Sequence, residues 1–183
     1  QIPALITDGI CIVISPIIAL MKDQVIALNN KGIKATALTN LNHWSDLERI
    51  LDNCIYGDYK FLYLSPERLQ NPLVQERIKM MNVNLIAVDE AHCISQWGHD
   101  FRPAYRSINT TKTLHPNVTT IALTATATKR VVQDIKEQLN LEQPKLYKHS
   151  FFRKNLSYKT LIFEDKNAKI IELLKSNKGS AIV

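Results

Sequence analysis

The stretch that most constrains this 183-residue chain is Leu85-Ile86-Ala87-Val88-Asp89-Glu90, four apolar residues that end abruptly in two carboxylates. A run that short and that apolar suits a strand buried on both faces of a parallel sheet. Parallel strands need long crossovers. The sequence supplies them: apolar runs at 10–14, 33–38, 59–64, 85–88 and 118–123 alternate with segments of helical spacing. The expected fold is therefore α/β, a mostly parallel sheet with right-handed crossovers and helices on both faces. Ligands of such sheets sit outside the carboxyl ends of the strands, which is where Asp89 and Glu90 stand. A surface acidic turn is the plainer explanation of the same two residues.

Local signals refine the expectation. Ser15-Pro16 ahead of IIALMKDQVIAL suits an N-cap and a first helical position, and Ser65-Pro66 repeats the pattern after the third strand. Two such turns at one sheet edge would set helix N-termini side by side, where phosphates bind well. Ser45 and Glu48 have capping-box spacing ahead of Leu47, Ile50 and Leu51. Helices are predicted over 72–81 and 105–114, and from a Thr128 cap through Val131, Ile135 and Leu139. Beyond Pro144, strands are expected at 145–149, 156–163 and 180–183, with a helix at 167–174.

Composition narrows the function classes. The formal charge is +6, yet residues 1–127 are balanced and the whole excess lies in residues 128–183. A basic C-terminal third is compatible with phosphate contacts; lysines on solvated helix faces explain it equally well. Cys11, Cys54 and Cys93 are widely spaced, so neither a disulfide framework nor a zinc site is signalled, and buried reduced thiols are expected. Nothing resembles a membrane span or a leader, which makes the cytoplasm the default location.

After the carboxylates, an eleven-residue stretch carries Ser95, Gln96, Trp97, His99, Phe101, Arg102 and Tyr105 around Gly98 and Pro103. Aromatic faces for stacking bases, beside a cation for phosphates, are the components of a single-strand site. The alternative is an aromatic cluster inside the core, but burying His99, Asp100 and Arg102 unpaired would be costly. The whole string AVDEAHCISQWGHDFRPAY closely resembles the DEAH motif and aromatic-rich loop of RecQ-family DNA helicases. SPIIALMKDQV, YLSPERL, ALTATAT and SFFRKNLSY resemble, in turn, the family's motifs Ia, Ib and III and its crossing between motor domains.

The resemblance implies a RecA-like fold of the P-loop NTPase type. Residues 1–149 would be the first motor domain without its N-terminal part, and 150–183 the interdomain segment with the start of a second. It implies ATP and Mg2+ as ligands, with Asp89 on the metal, Glu90 as base and His92 as a relay, Thr124 and Thr126 serving nucleotide and interdomain coupling. Ser15, Lys22, Gln24, Ser65, Trp97, Phe101 and Arg102 would face DNA. The activity implied is 3′-to-5′ unwinding of partly duplex DNA in recombination and repair, by a monomer and without a membrane. Lys154 stands where the family often has Pro. No GxxxxGK[ST] loop occurs, and Gln1-Ile2-Pro3-Ala4-Leu5 resembles the residues directly after that loop in RecQ proteins, so the chain is expected to begin just past it and to hydrolyse ATP poorly. The competing expectations are a non-catalytic DNA-binding module, an RNA helicase of the DEAD/DEAH type and, more distantly, a metal-dependent hydrolase without nucleotide.

Overall fold

A computed structural model describes residues 1–39, 43–150, 152–177 and 179–183. The chain divides into two compact units, Gln1–Pro144 and Lys145–Val183.

In the first unit a short helix α1 (Ile2–Leu5) leads to β1 (Ile10–Ile14), α2 (Ile18–Asn29), β2 (Ala35–Ala37) and α3 (Trp44–Tyr56). Then come β3 (Phe61–Leu64), a 3-10 turn over Pro66–Gln70, α4 (Pro72–Met80) and β4 (Val83–Val88). Two further 3-10 turns, Ala91–Ile94 and Pro103–Ser107, precede α5 (Ile108–Leu114), β5 (Thr120–Ala122) and α6 (Lys129–Gln138). The five strands form one parallel sheet in the order β2-β3-β1-β4-β5.

Strand alternation divides the core in two. Ile12, Ile14, Leu62, Leu64, Ile86 and Val88 point to one face, where they meet residues of α3, α4, α5 and α6 such as Leu51, Ile78, Ile108 and Val131. Cys11, Phe61, Tyr63 and Leu85 point to the other, against Ala4, Met21 and Leu28 of α1 and α2. That second face is thinly covered: a cleft of about 620 Å³ lies over Cys11, Val13, Leu85, Ala87 and Ile121, with Ser15 and Asp89 at its rim.

Several helix starts differ from the sequence expectation. Ser15 does not cap α2, which begins three residues later, because a cap must reach the amides of the first turn. Ser65 opens a 3-10 turn without a side-chain cap, so no pair of helix N-termini flanks this edge; Asn71 caps α4 instead, accepting from the Leu73 amide at 2.9 Å. Ser45 lies inside α3, behind His43, and the expected capping box does not form. Thr128 does cap α6, accepting from the Val131 amide at 3.3 Å. The expected helix at 105–114 starts as a 3-10 turn and becomes α5 at Ile108.

The second unit contains α7 (Lys166–Ser176), capped by Asp165 and with no buried residue. The strands expected at 145–149, 156–163 and 180–183 are absent among its described residues. A strand needs a partner for its amides and carbonyls, and alternation alone does not provide one. Phe151, within the SFFRKNLSY string, lies outside the described residues.

Gly9 and Gly32 both have positive φ, 104° and 75°, but differ in space. A Cβ on Gly9 would stand 2.3 Å from the Asn82 carbonyl oxygen, whereas one on Gly32 meets nothing within 4 Å. Urea unfolding should show Gly32→Ala losing about 1–2 kcal/mol for its left-handed backbone alone. Gly9→Ala should lose clearly more; equal losses would contradict the close approach.

Candidate functional site

The carboxyl ends of four strands are tied together by hydrogen bonds that continue past the strands themselves. The amide of Ser15 donates to Leu64 O at 3.1 Å, Asp89 to Ile14 O at 2.8 Å and Leu123 to Val88 O at 2.8 Å. Ser15, Asp89 and Leu123 thereby stand in one row at the sheet edge. The Ala91 amide closes it by donating to Leu123 O at 2.9 Å.

Asp89 is held from three sides. The buried Ser15 hydroxyl donates to Oδ2 at 3.2 Å, the Glu90 amide donates to Oδ1 at 3.0 Å, and Tyr105 Oη donates to the Asp89 main-chain oxygen at 2.9 Å. Burial raises the Tyr105 hydroxyl above its usual pKa, so it remains a donor. Tyr105 is fully buried; it braces the acidic turn rather than offering a stacking face, as its place in the loop had suggested.

Glu90 adopts a left-handed backbone, φ 47° and ψ 44°, a conformation that a non-glycine residue holds only when its surroundings impose it. Its Oε2 lies 3.2 Å from His92 Nδ1, which also lies 3.1 Å from Thr124 Oγ1. Thr124 Oγ1 in turn accepts from the Thr126 amide at 3.2 Å. The His92 and His99 rings stack, with centroids 4.3 Å apart. Burial first, and His99 second, push the His92 pKa below the ordinary histidine value. A neutral imidazole protonated on Nδ1 can donate toward both oxygens. Glu90, His92, Thr124 and His99 thus form one chain of contacts from the acidic turn to the aromatic loop.

The loop is buried at both ends and exposed in its middle. Ala91–Ile94 and Ser95 are buried, and Trp97 is 59% exposed. A Cβ on Gly98 would stand 2.4 Å from the His92 carbonyl oxygen, so the chain turns closely over its own start. Arg102 donates through Nε and Nη2 to Asp100 Oδ2 at 3.2 and 3.1 Å, and its amide donates to Cys93 O at 2.9 Å. Phe101 is half-buried, with the Arg106 guanidinium 5.5 Å from its ring centre. Cys93 is buried and its thiol pushed up to about 11, an inert state.

Sequence reasoning missed two residues of α6. The Arg130 guanidinium lies 3.3 Å from the Trp97 ring centre, and Asp134 Oδ2 accepts from Ser95 Oγ at 2.5 Å. Their spacing of four on a helix beginning just after ALTATAT was the available signal.

The remaining expected positions do not converge on this centre. Gln24 turns inward, its Oε1 accepting from Tyr63 Oη at 2.9 Å and from Gln1 Nε2 at 3.2 Å, because a buried tyrosine hydroxyl needs an acceptor. Lys22 is exposed on α2, and Ser65 is half-buried at the end of β3. Among the described residues no three His, Cys, Asp or Glu side chains form a metal cage. Likewise no helix among them is long and apolar enough to cross a membrane.

Comparison with known proteins bears on the fold and the family. The Pyrococcus furiosus Hef helicase domain shares the fold, with a TM-score of 0.57 over 77% of this chain and 29% of that one, at 20% identity. The ATP-dependent DNA helicase RecQ of Bacillus subtilis is 43% identical over 99% of this chain and 31% of its own length. RecQ of Pasteurella multocida is 44% identical over 86% and 25%, and the probable ATP-dependent DNA helicase RecS of Bacillus subtilis 40% over 100% and 37%. The chain therefore spans a quarter to little more than a third of these relatives. Residues 1–135 match the DEAD/DEAH box helicases, and with RecQ helicases 43% and 44% identical over most of its length the chain belongs to that family, as a member of RecQ type.

Proposed function

We propose that the protein carrying this chain is an ATP-dependent DNA helicase that couples nucleotide hydrolysis to 3′-to-5′ unwinding of partly duplex DNA. The observation that supports this most is the contact chain from Glu90 through His92 to Thr124 and His99, which joins the acidic turn to the aromatic loop. In this reading it acts as a monomer in the cytoplasm, in recombination and repair, as the resemblance to RecQ proteins implies.

The donor set beside the acidic turn fits Mg2+. It consists of oxygen only, a carboxylate of Asp89 with the Ser15 hydroxyl against it, and Mg2+ is commonly bound by one or two carboxylates plus water and phosphate oxygens. When bound, the ion neutralises charge on the transferring phosphoryl group. The chain's own residues do the rest. Ser15 and the Glu90 amide fix both oxygens of Asp89, leaving its outward lone pairs free. Glu90 is turned by its left-handed backbone toward His92, whose Nδ1 proton orients the carboxylate that would accept a proton from water. Thr124 ties that imidazole to the turn before α6, so a displacement of either side is felt by the other. Trp97, Phe101 and Arg102 supply two rings and a cation for single-stranded DNA, with Ser65 and Lys22 assigned to DNA contacts and Thr126 to the nucleotide, as the resemblance implies.

Glu90→Gln keeps the shape and removes the base. In the full-length protein it should lower single-strand-stimulated ATP hydrolysis by about 10²–10⁴-fold while nucleotide binding is retained. A rate within a few-fold of wild type would remove Glu90 from the base role.

His92 gives a pH dependence of known sign. Its folded pKa is depressed, so below about pH 6.5 the unfolded chain takes up protons that the folded one refuses. Its contribution is fully present above that pH and is lost as the pH falls toward the lowered folded value. The unfolding free energy, measured by urea titration from pH 7.5 to 5, should fall in wild type, by no more than about 1.4 kcal/mol per pH unit from this group. The fall should be shallower in His92→Gln; identical slopes would contradict a buried neutral imidazole.

A further inference from the structure

The aromatic loop is fastened to α6 by two side chains one helical turn apart. Arg130 lays its guanidinium 3.3 Å from the centre of the Trp97 ring, and Asp134 accepts from Ser95 Oγ at 2.5 Å. The same Ser95 oxygen accepts from the Trp97 amide at 3.1 Å, so backbone and ring of Trp97 are both fixed with respect to α6. Ser95 is buried, which makes its bond to a carboxylate the shielded part of the fastening. Trp97 nevertheless keeps 59% of its surface exposed. An unrestrained tryptophan on a surface loop would have to lose rotamer and backbone freedom each time a base stacked on it. Arg130 backs the ring while much of its surface stays open to solvent, and a planar cation stacks well on indole.

We propose that Arg130 and Asp134 are positioning residues that hold Trp97 as a preformed platform for a nucleic-acid base, and so set how much single-stranded DNA is needed to stimulate hydrolysis. This rests on the DNA-stimulated activity proposed above. Because α6 begins at the Thr128 cap, directly after the turn that carries Thr124, the platform and the His92 contact are mounted on the same short piece of backbone. Arg130 acts through Trp97; a direct phosphate contact from Arg130 is the rival explanation of any loss of DNA response.

The test is the DNA concentration for half-maximal ATPase stimulation in the full-length protein, measured with a single-stranded oligonucleotide for wild type, Arg130→Ala, Trp97→Ala and the double variant. Arg130→Ala should raise the half-maximal concentration about five- to tenfold, with the rate at saturating DNA within about twofold of wild type. The double variant should respond as Trp97→Ala alone, because residues acting through one contact are not additive. Losses that multiply in the double variant, or an unchanged response of Arg130→Ala, overturn the proposal. Asp134 gives an independent arm: Asp134→Asn keeps an acceptor for Ser95 and should stay within about twofold of wild type, whereas Asp134→Ala should shift in the direction of Arg130→Ala. Equal effects of the two substitutions would overturn the role of Asp134. A wild-type protein that is not stimulated by DNA at all would instead overturn the proposed function, and the platform with it.

Discussion

The arrangement depends on parallel ladders that do not stop where the strands stop. Ile14 accepts from Asp89 and Val88 accepts from Leu123 at 2.8 Å each, so the chain is still in register when it turns from apolar to acidic. A parallel sheet brings the same end of every strand to one edge, which is why residues as far apart in sequence as Ser15, Asp89 and Thr124 share a site. The register is fixed by burial. A one-residue slip of β4 would move Ile86 and Val88 from the thickly covered face to the open one.

On that frame, polar groups compete for few partners and the strongest acceptor wins. Ser15 illustrates the rule: its hydroxyl is bonded to a carboxylate rather than to a helix amide, which trades a cap for an oriented Asp89. Tyr105 repeats it from the opposite side, its hydroxyl kept protonated by burial and bonded to the Asp89 carbonyl. The left-handed Glu90 is the strained member of the set, held by its own amide bond to Asp89 and by His92. Strain of this kind persists only where neighbours over-determine it.

Much of this was legible in the residues. Short apolar runs located all five strands of the sheet to within a few residues, and Thr128 announced its helix correctly, because each signal is local. The failures share a cause. Ser15, Ser45 and Ser65 look alike as caps, and only tertiary neighbours decide whether a hydroxyl serves a helix or a carboxylate. Tyr105 was read as a loop aromatic, since nothing in QWGHDFRPAY says which ring turns inward. Arg130 and Asp134 lie more than thirty positions beyond the residues they hold, and strands expected after Pro144 lacked a partner to pair with. Gln24 fits a DNA-facing pattern in sequence, yet a buried tyrosine hydroxyl claims it.

In the proposed function the acidic turn and the aromatic loop belong to one DNA-responsive hydrolytic centre. Its most direct test is the rate of ATP hydrolysis by the full-length protein with no nucleic acid, with single-stranded DNA and with single-stranded RNA of the same sequence. Stimulation of about tenfold or more by DNA, and markedly less by RNA, is the expected result. Equal stimulation by both would favour an RNA-type motor, and hydrolysis indifferent to either would contradict the coupling.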